Sequence, residues 1–419
     1  MSVLVKNGTL LDGKFDVLIE DAKIKRIEIH GKINESEAQT VIDATGKYVL
    51  PGLVDAHCHL RDPGFEYKED IASGTLSAAR GGFTSIACMP NTNPVIDNAS
   101  VVWYIKERAK KEGLVNVYPI GAVSTGQNGE ALSEMGDMKK AGIVAVSDDG
   151  RPVKSSGLMK KAMQYADMLD LRIISHCEDL ALVSDGVMNE GFNSTVMGLK
   201  GIPSVSEDIM VARDVSLAEY LGVFVHIAHV STKGSVEIIR QAKKRGVKVT
   251  CETCPHYFTL TDDACQGFNT LAKVNPPLRS KIDKEAIIEG LIDGTIDIIA
   301  TDHAPHHVDE KNVEFDKALN GMVGFETALS LGLTYLVEKG FLSIGQLIEK
   351  LSLNPARMLG IDKGYIKEGK DADLIVVDLK EKLEVNVDSF SSKAKNSPFN
   401  GMMLSGKVCN TIVGGKLCL

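Results

Sequence analysis

The chain has 419 residues, of which 44% are hydrophobic and 25% charged, and its formal net charge is −9. The length suits a barrel with an appended domain, and the composition is that of an ordinary globular protein. The acidic balance argues against a nucleic-acid partner, which would require a basic face, and no segment has the roughly twenty consecutive apolar residues of a membrane helix.

The amino terminus lacks a long apolar run, so no signal peptide is expected. Eight cysteines are scattered along the chain without the spacing of a disulfide framework. Together these features predict a cytoplasmic protein with reduced thiols. Cys251 and Cys254 form a single C-x-x-C, which is typical of redox or zinc sites, but without a second such pair strand-end packing is favoured.

Both ends of the chain show the sequence pattern of short strands joined by tight turns. Near the start, Val3–Val5 precedes Asn-Gly and Ile24–Ile29 alternates apolar with charged residues; near the end, 373–378 and 407–415 are similar. Neither end alone has enough strands for a stable sheet. We therefore predict one small β-sandwich built from residues 1–52 and 362–419.

Between the two ends the pattern changes to strand, loop and helix, repeated. Eight apolar runs predict strands at 53–59, 84–89, 116–123, 143–147, 172–176, 223–229, 247–253 and 296–301. Helical stretches are predicted among them at 99–111, 157–169, 206–221, 235–244, 284–291, 327–338 and 344–351. This alternation predicts a (β/α)₈ barrel over residues 53–361. A doubly wound sheet is the alternative, but the chain lacks the G-x-G-x-x-G turn that would indicate a dinucleotide-binding sheet.

The first predicted barrel strand ends in two histidines. Residues two apart in a strand point to the same side, so His57 and His59 can direct both imidazoles at one metal ion. Arg61 follows on the same side, where its guanidinium could hold an anionic substrate beside that metal. A lone His-x-His would more simply be a polar strand end, so the interpretation depends on ligands from other strands.

The fourth predicted strand ends Val144-Ala145-Val146-Ser147-Asp148-Asp149. By alternation the two valines share one side with Asp148, and the bulkier valines suit the side that faces the helices. This leaves Asp149 directed into the mouth of the barrel.

Further candidate ligands lie at the ends of other strands, and a barrel brings these ends to one face. The full set is His57, His59, Asp149, His176, His229 and Asp302. Imidazole suits zinc, and a carboxylate can bridge two ions. The other histidines are expected to be structural: His226 and His303 are out of phase with their neighbours, His30 falls in the sandwich, and His256 and His307 fall in loops.

These residues resemble the dihydroorotases of the amidohydrolase superfamily. The two signatures that carry the resemblance are Asp55-Ala56-His57-Cys58-His59-Leu60-Arg61 and Ala300-Thr301-Asp302-His303-Ala304-Pro305-His306 with Lys311. The similarity extends to 89–92, 275–279 and 369–374 and so spans nearly the whole chain.

The resemblance implies reversible, zinc-dependent cyclisation of N-carbamoyl-L-aspartate to L-dihydroorotate in pyrimidine biosynthesis. It implies one zinc ion on His57, His59 and Asp302, a second on His176 and His229, and Asp149 as their bridge, with Asp302 also catalytic. Arg61, Asn91 and His306 would bind the substrate carboxylate, and Asn275 the ring. Residues 307–324 resemble the family's mobile loop, for which Gly321 and Gly324 are suited.

One departure concerns the bridging residue. Hydantoinases and some dihydroorotases carry a carbamylated lysine at the end of the fourth strand, whereas this chain has Ser147-Asp148-Asp149, like the bacterial class I dihydroorotases. Two other functions stay open: another cyclic-amide hydrolase, such as a hydantoinase or allantoinase, and a non-catalytic scaffold. We expect a small-molecule substrate, no nucleic-acid or membrane partner, and a homodimer as an allowed quaternary state.

Overall fold

The computed structural model describes residues 2–419 and contains a central barrel of eight strands. Barrel strands 1 to 8, numbered in chain order, are Leu53–Cys58, Phe83–Cys88, Asn116–Pro119, Ala145–Val146, Arg172–Ser175, Val225–Ile227, Val249–Thr253 and Ile298–Ile299. Each coincides with a predicted apolar run, and paired neighbours are parallel. The predicted (β/α)₈ barrel is therefore confirmed.

Short backbone bridges close the barrel where the strand ladders are interrupted. Gly121 and Val146 form a parallel bridge between strands 3 and 4. Between strands 8 and 1, the His59 amide donates a hydrogen bond to the His303 carbonyl at 2.9 Å. The carboxyl ends of the first and last strands consequently lie side by side.

Helices follow the barrel strands and cover their outer side. The principal ones are Ile71–Arg80, Ala99–Glu112, Met135–Ala141, Ser156–Met168, Val205–Leu221, Lys233–Lys244, Lys281–Ile292 and Phe325–Gly332. Shorter helices are Leu180–Val183, Phe192–Met197, Pro255–Thr259, Val308–Lys311, Ile344–Ile348 and Asn354–Leu359. All the predicted helices are present, and no helix in residues 2–419 is long and apolar enough to cross a bilayer.

Helix Ile71–Arg80 is not among the predicted helices, and its glycine and two serines are weak helix formers. Its beginning is fixed by Asp70, whose carboxylate accepts a hydrogen bond from the Ser73 amide at 2.8 Å. The small residues allow close packing: a Cβ atom at Gly74 would lie 2.6 Å from Leu60 Cδ2. The helix is therefore stabilised by close packing against the barrel, which its sequence alone does not predict.

The barrel interior is a small apolar cluster that is separate from the larger core between strands and helices. Its members in the barrel strands or directly after them are Val54, Ala56, Ala87, Met89, Ile120, Ala145, Ile174, Ala228, Ile298 and Ala300. Residues of helix Asn354–Leu359 join this cluster, and the Asn354 side chain donates to the Asp297 carbonyl before strand 8 at 2.9 Å. This helix closes the amino-terminal end of the barrel, so the carboxyl end remains for a site.

Strands from both chain ends form one eight-stranded sheet beside the barrel. They are Ser2–Leu10, Gly13–Glu20, Lys23–Ile29, Thr40–Asp43, Tyr48–Pro51, Leu374–Glu384, Met403–Val413 and Lys416–Leu417. Tyr48–Pro51 pairs antiparallel with Leu374–Glu384 and so joins the two ends. Val3 and Val17 share an apolar cluster with Leu374 and Ile412, as the layers of a sandwich do. The boundaries at 52/53 and 361/362 remain predictions.

Candidate active site

The first barrel strand changes face near its end. Ala56 lies in the barrel-interior cluster, and the register with strand 2 shifts before Cys58. Strict alternation after Ala56 would turn Cys58 inward, yet Cys58 belongs to the outer core. The local irregularity, like a β-bulge, lets both His57 and His59 face the mouth of the barrel.

Asp149 lies between two pairs of histidines. Its Oδ1 is 3.3 Å from His57 Nε2, and its Oδ2 is 3.6 Å from His59 Nε2. On the other side, Oδ1 is 3.5 Å from His176 Nδ1 and 3.4 Å from His229 Nε2. All five side chains are buried, and they form two potential metal-binding groups that share Asp149.

Asp302 completes the set of six predicted ligands. Its Oδ1 lies 3.0 Å from His59 Nε2 and 3.7 Å from His57 Nε2. It also belongs to a third group of potential ligand atoms, with the buried Cys254 and His256. The structure thus brings together residues from barrel strands 1, 4, 5, 6 and 8 at one end of the barrel.

His57 is oriented by a buried carboxylate. Its Nδ1 donates to Glu252 Oε1 at 2.7 Å, which leaves the lone pair of Nε2 directed at the cluster. The second oxygen of Glu252 accepts a hydrogen bond from His226 Nε2 at 3.2 Å, and His226 Nδ1 contacts Thr250 Oγ1 at 2.7 Å. His226 therefore lies behind the cluster, on the far side of Glu252.

Two other histidines are held in the same manner. His59 Nδ1 donates to Asn91 Oδ1 at 2.9 Å, and His176 Nε2 donates to Glu178 Oε2 at 3.2 Å. In each case the opposite ring nitrogen faces the cluster, where it can serve as a metal ligand when it carries no proton. Asn91 also lies close to Asp149, with Nδ2 at 3.5 Å from Oδ2.

Two atoms in the cluster lack the partners that buried polar atoms normally have. His57 Nε2 and Asp149 Oδ1 are fully buried and have no hydrogen bond. Such orphaned groups are uncommon and call for an explanation, of which a bound ion is one. Imidazole nitrogens around carboxylate oxygens are a donor set that zinc accepts. The residues present therefore fit a metal centre.

The charges of the cluster favour ionised carboxylates. Burial acts to raise the pKa of Asp149, but the adjacent imidazoles of His57, His176 and His229 lower it well below its usual value. Burial likewise opposes ionisation of Asp302, and the hydrogen bond with His59 overcomes it and lowers the pKa. Both aspartates can therefore act as anionic ligands.

A cavity of about 260 Å³ opens above the cluster. Every predicted site residue lines it except His57, which is fully buried behind the other ligands. The four predicted substrate contacts, Arg61, Asn91, Asn275 and His306, are all among the lining residues. The cavity is also lined by Leu319, Asn320 and Gly321, which belong to residues 304–323, here called the rim loop.

Arg61 presents an unpaired cation to this cavity. Its Nε donates to the Pro305 carbonyl at 3.2 Å, and its Nη2 lies 3.5 Å from His306 Nε2. Among residues 2–419, no carboxylate lies within ion-pair distance of the Arg61 guanidinium. Burial and the charge of Arg61 lower the pKa of His306 to about 3, so His306 is neutral at physiological pH. The cavity therefore offers a positive end to an anionic ligand.

The backbone is left-handed at three of these residues. The φ angles are 31° at His229, 47° at Asp302 and 62° at Arg61. Non-glycine residues rarely adopt this conformation, which is costly and concentrates at functional sites. At strand 6, Ala228 occupies the barrel-interior cluster, so alternation alone would not direct its neighbour His229 toward the centre.

Sequence reasoning did not identify Glu252 and Glu178 as part of the site. The available signal was a charged residue inside a buried strand, Glu252, and a carboxylate two residues after a strand-end histidine, Glu178. Both Cys251 and Cys254 are free and buried, which agrees with packing at the strand end. His303 contacts Glu69 behind the cluster, and His307 caps helix Val308–Lys311.

Comparison with known proteins adds to this geometry. A family model described as dihydro-orotase-like matches residues 46–235. The dihydroorotase of Acetivibrio thermocellus is 65% identical, with 99% of this chain and 98% of the relative covered. That of Geobacter metallireducens is 56% identical over 100% and 99%. Among solved structures, the L-hydantoinase (dihydropyrimidinase) from Arthrobacter aurescens superposes with a TM-score of 0.90 at 31% identity, covering 99% of this chain and 95% of that one.

Proposed function

The chain belongs to the dihydroorotase family, and from this premise we propose that it interconverts N-carbamoyl-L-aspartate and L-dihydroorotate in pyrimidine biosynthesis. The enzyme is a metal-dependent hydrolase of a cyclic amide. The observation that carries the choice of substrate is the unpaired guanidinium of Arg61 in the cavity, because both proposed substrates carry a carboxylate for it to bind.

Zinc is the proposed metal, with one or two ions in each subunit. His57, His59 and Asp302 would hold one ion, His176 and His229 the other, and Asp149 would contact both. The donor set and the orphaned atoms of His57 and Asp149 support this assignment. When bound, zinc supplies an activated water molecule at neutral pH and polarises the amide carbonyl.

The chain's own residues perform the remaining steps. Asp302, an ionised carboxylate at the cavity wall, accepts a proton from the attacking water and returns it to the ring nitrogen that leaves. Arg61 binds the substrate carboxylate through two parallel hydrogen bonds, and His306, a neutral imidazole, contacts the same carboxylate. Asn91 and Asn275 are proposed to complete the substrate contacts. Ring closure is the reverse of these steps.

A hydantoinase is the main alternative, since a hydantoinase structure is similar in fold. A hydantoin ring is neutral and leaves Arg61 without a counter-charge, which is costly for a partly buried cation. The aspartate at position 149 also differs from the carbamylated lysine expected of hydantoinases. A cytoplasmic location and a homodimer remain predictions.

Turnover measured in both directions tests the proposal. Purified protein with zinc should hydrolyse dihydroorotate and cyclise carbamoyl-aspartate, and a chelator should stop both reactions. Ring closure consumes a proton because a free carboxylate becomes an amide carbonyl, so the equilibrium should move toward dihydroorotate as the pH falls. Turnover of a neutral hydantoin without any turnover of carbamoyl-aspartate would reject the assignment.

A further inference from the structure

The rim loop leaves strand 8 and returns to the barrel close to its starting point. The Ala304 amide donates to the Met322 carbonyl at 2.9 Å, which brings the two ends of the loop together. Between these ends the loop carries His306, and Asn320 lies against it: the Asn320 carbonyl is 2.7 Å from His306 Nε2. The position of this loop therefore sets the position of a proposed substrate contact.

Asn396 holds both ends of the rim loop from outside the barrel. Its Nδ2 donates to the Ala304 carbonyl at 3.1 Å and to the Gly321 carbonyl at 3.0 Å. Its Oδ1 accepts a hydrogen bond from the His306 amide at 3.1 Å, and its backbone carbonyl accepts one from Val323 at 3.0 Å. Asn396 is buried, and both its amide hydrogens and its carbonyl oxygen are used on this loop.

Lys311 acts on the loop from within. It is buried, and its Nζ donates to the carbonyls of Leu319, Gly321 and Lys273 at 2.7, 3.1 and 3.3 Å. Burial, together with the charge of Lys273, lowers the pKa of Lys311 to about 7. A buried amino group that faces three carbonyl oxygens is costly to place and specific in geometry.

We propose that Asn396 and Lys311 are positioning residues that clasp the rim loop in its substrate-binding position. The expected change in kcat/KM rests on the proposed function, whereas the expected change in hydrogen exchange of the rim loop does not. Asn396 lies between strands Leu374–Glu384 and Met403–Val413 of the eight-stranded sheet, here called the β-domain, in a segment that also contacts Glu69 of the barrel through Ser392. This segment therefore supports the rim loop, which in turn lines the cavity.

Asn396→Ala and Asn396→Asp test the clasp against its matched control, Asn400→Asp. Asn400 lies in the same segment but is exposed and accepts a hydrogen bond from the Val387 amide, away from the loop. Aspartate at 396 keeps the acceptor for the His306 amide but faces two carbonyl oxygens without donors. We expect kcat/KM for dihydroorotate to fall about 100-fold, mainly through KM, since misplacement of a binding group by about 1 Å can have that effect. The zinc content should stay at the wild-type level.

Lys311→Met provides a second test should the Asn396 variants fold poorly, and Lys317→Met is its control. Lys317 lies in the same loop, is exposed and faces only Glu314 at 3.3 Å. Hydrogen exchange of amides in residues 304–323 should accelerate in Lys311→Met and Asn396→Ala and stay unchanged in both controls. Wild-type KM and wild-type exchange in these variants would overturn the clasp. Faster exchange in the variants, combined with a wild-type protein that does not turn over dihydroorotate, would support the clasp and reject the proposed function.

Discussion

The floor and the rim of the cavity are built in different ways. The floor consists of the six candidate ligands, which stand at or next to the carboxyl ends of barrel strands and are braced from behind by buried carboxylates and amides. The rim consists of Arg61, His306 and the rim loop, and it is held by side chains from distant segments such as Asn396. Changes at the floor should therefore alter metal binding, and changes at the rim should alter substrate binding alone.

The largest effect is expected at the centre of the floor. Asp149→Ala removes the carboxylate shared by both groups of histidines, so two cations would lie close together with less compensating charge. We expect loss of at least one zinc ion and a fall in kcat of more than about 1,000-fold, beyond the cost of one lost electrostatic contact. Metal analysis and turnover measure these outcomes.

The matched control is the neighbouring carboxylate. Asp148 accepts hydrogen bonds from the Val123 and Ser124 amides at 2.8 and 3.1 Å, so Asp148→Asn should retain zinc. Zinc loss in this variant, with retention in Asp149→Ala, would reverse the assignment of the two residues.

Asp149 also leads to a prediction about the assembly of the metal centre. A carbamylated lysine is made from carbon dioxide, whereas Asp149 supplies its carboxylate from the chain itself. Metal-stripped protein should therefore regain activity with zinc alone. A zinc titration should also give one tight and one looser site, because aspartate is shorter than a carbamylated lysine. A requirement for bicarbonate would contradict the role of Asp149.

An intermediate effect is expected at the rim. Arg61→Lys retains the charge but loses the planar fork, so kcat/KM should fall about 10- to 100-fold, which corresponds to roughly 1.5–3 kcal/mol for a hydrogen bond to a charged group. The zinc content should not change, because Arg61 lies above the floor and contacts Pro305 and His306. Loss of zinc from this variant would show that floor and rim are not separable.

The smallest effect is expected behind the floor. Glu252→Gln leaves an acceptor for His57 but weakens its orientation, and changes of this kind typically lower metal affinity about 10- to 100-fold. At saturating zinc, kcat should approach the wild-type value. Thr250→Val is the control, since Thr250 contacts His226 rather than a proposed ligand. A deficit in kcat that excess zinc does not restore would mean that Glu252 acts on the reaction itself.

Local patterns determined much of this protein. The eight apolar runs became the eight barrel strands because a buried parallel strand needs a continuous apolar segment. Barrel topology places all strand ends at one face, so the candidate ligands could be selected before their distances were known. The phase that places Asp149 in the mouth agrees with Ala145 inside the barrel and Val146 in the outer core, whereas Val144 packs against the barrel interior rather than the helices.

Other features depend on the tertiary structure: they interrupt the alternation within a strand or join segments that are distant in sequence. The irregularity before Cys58 and the left-handed backbone at His229 change the direction of side chains, and alternation cannot anticipate either. Glu252 is 195 residues from its partner His57, and Asn396 is 90 residues from the His306 amide. A hydrogen bond between such distant segments leaves no periodic trace in the sequence. It exists because the folded barrel and the β-domain bring the two groups together at a buried position, where each requires a partner.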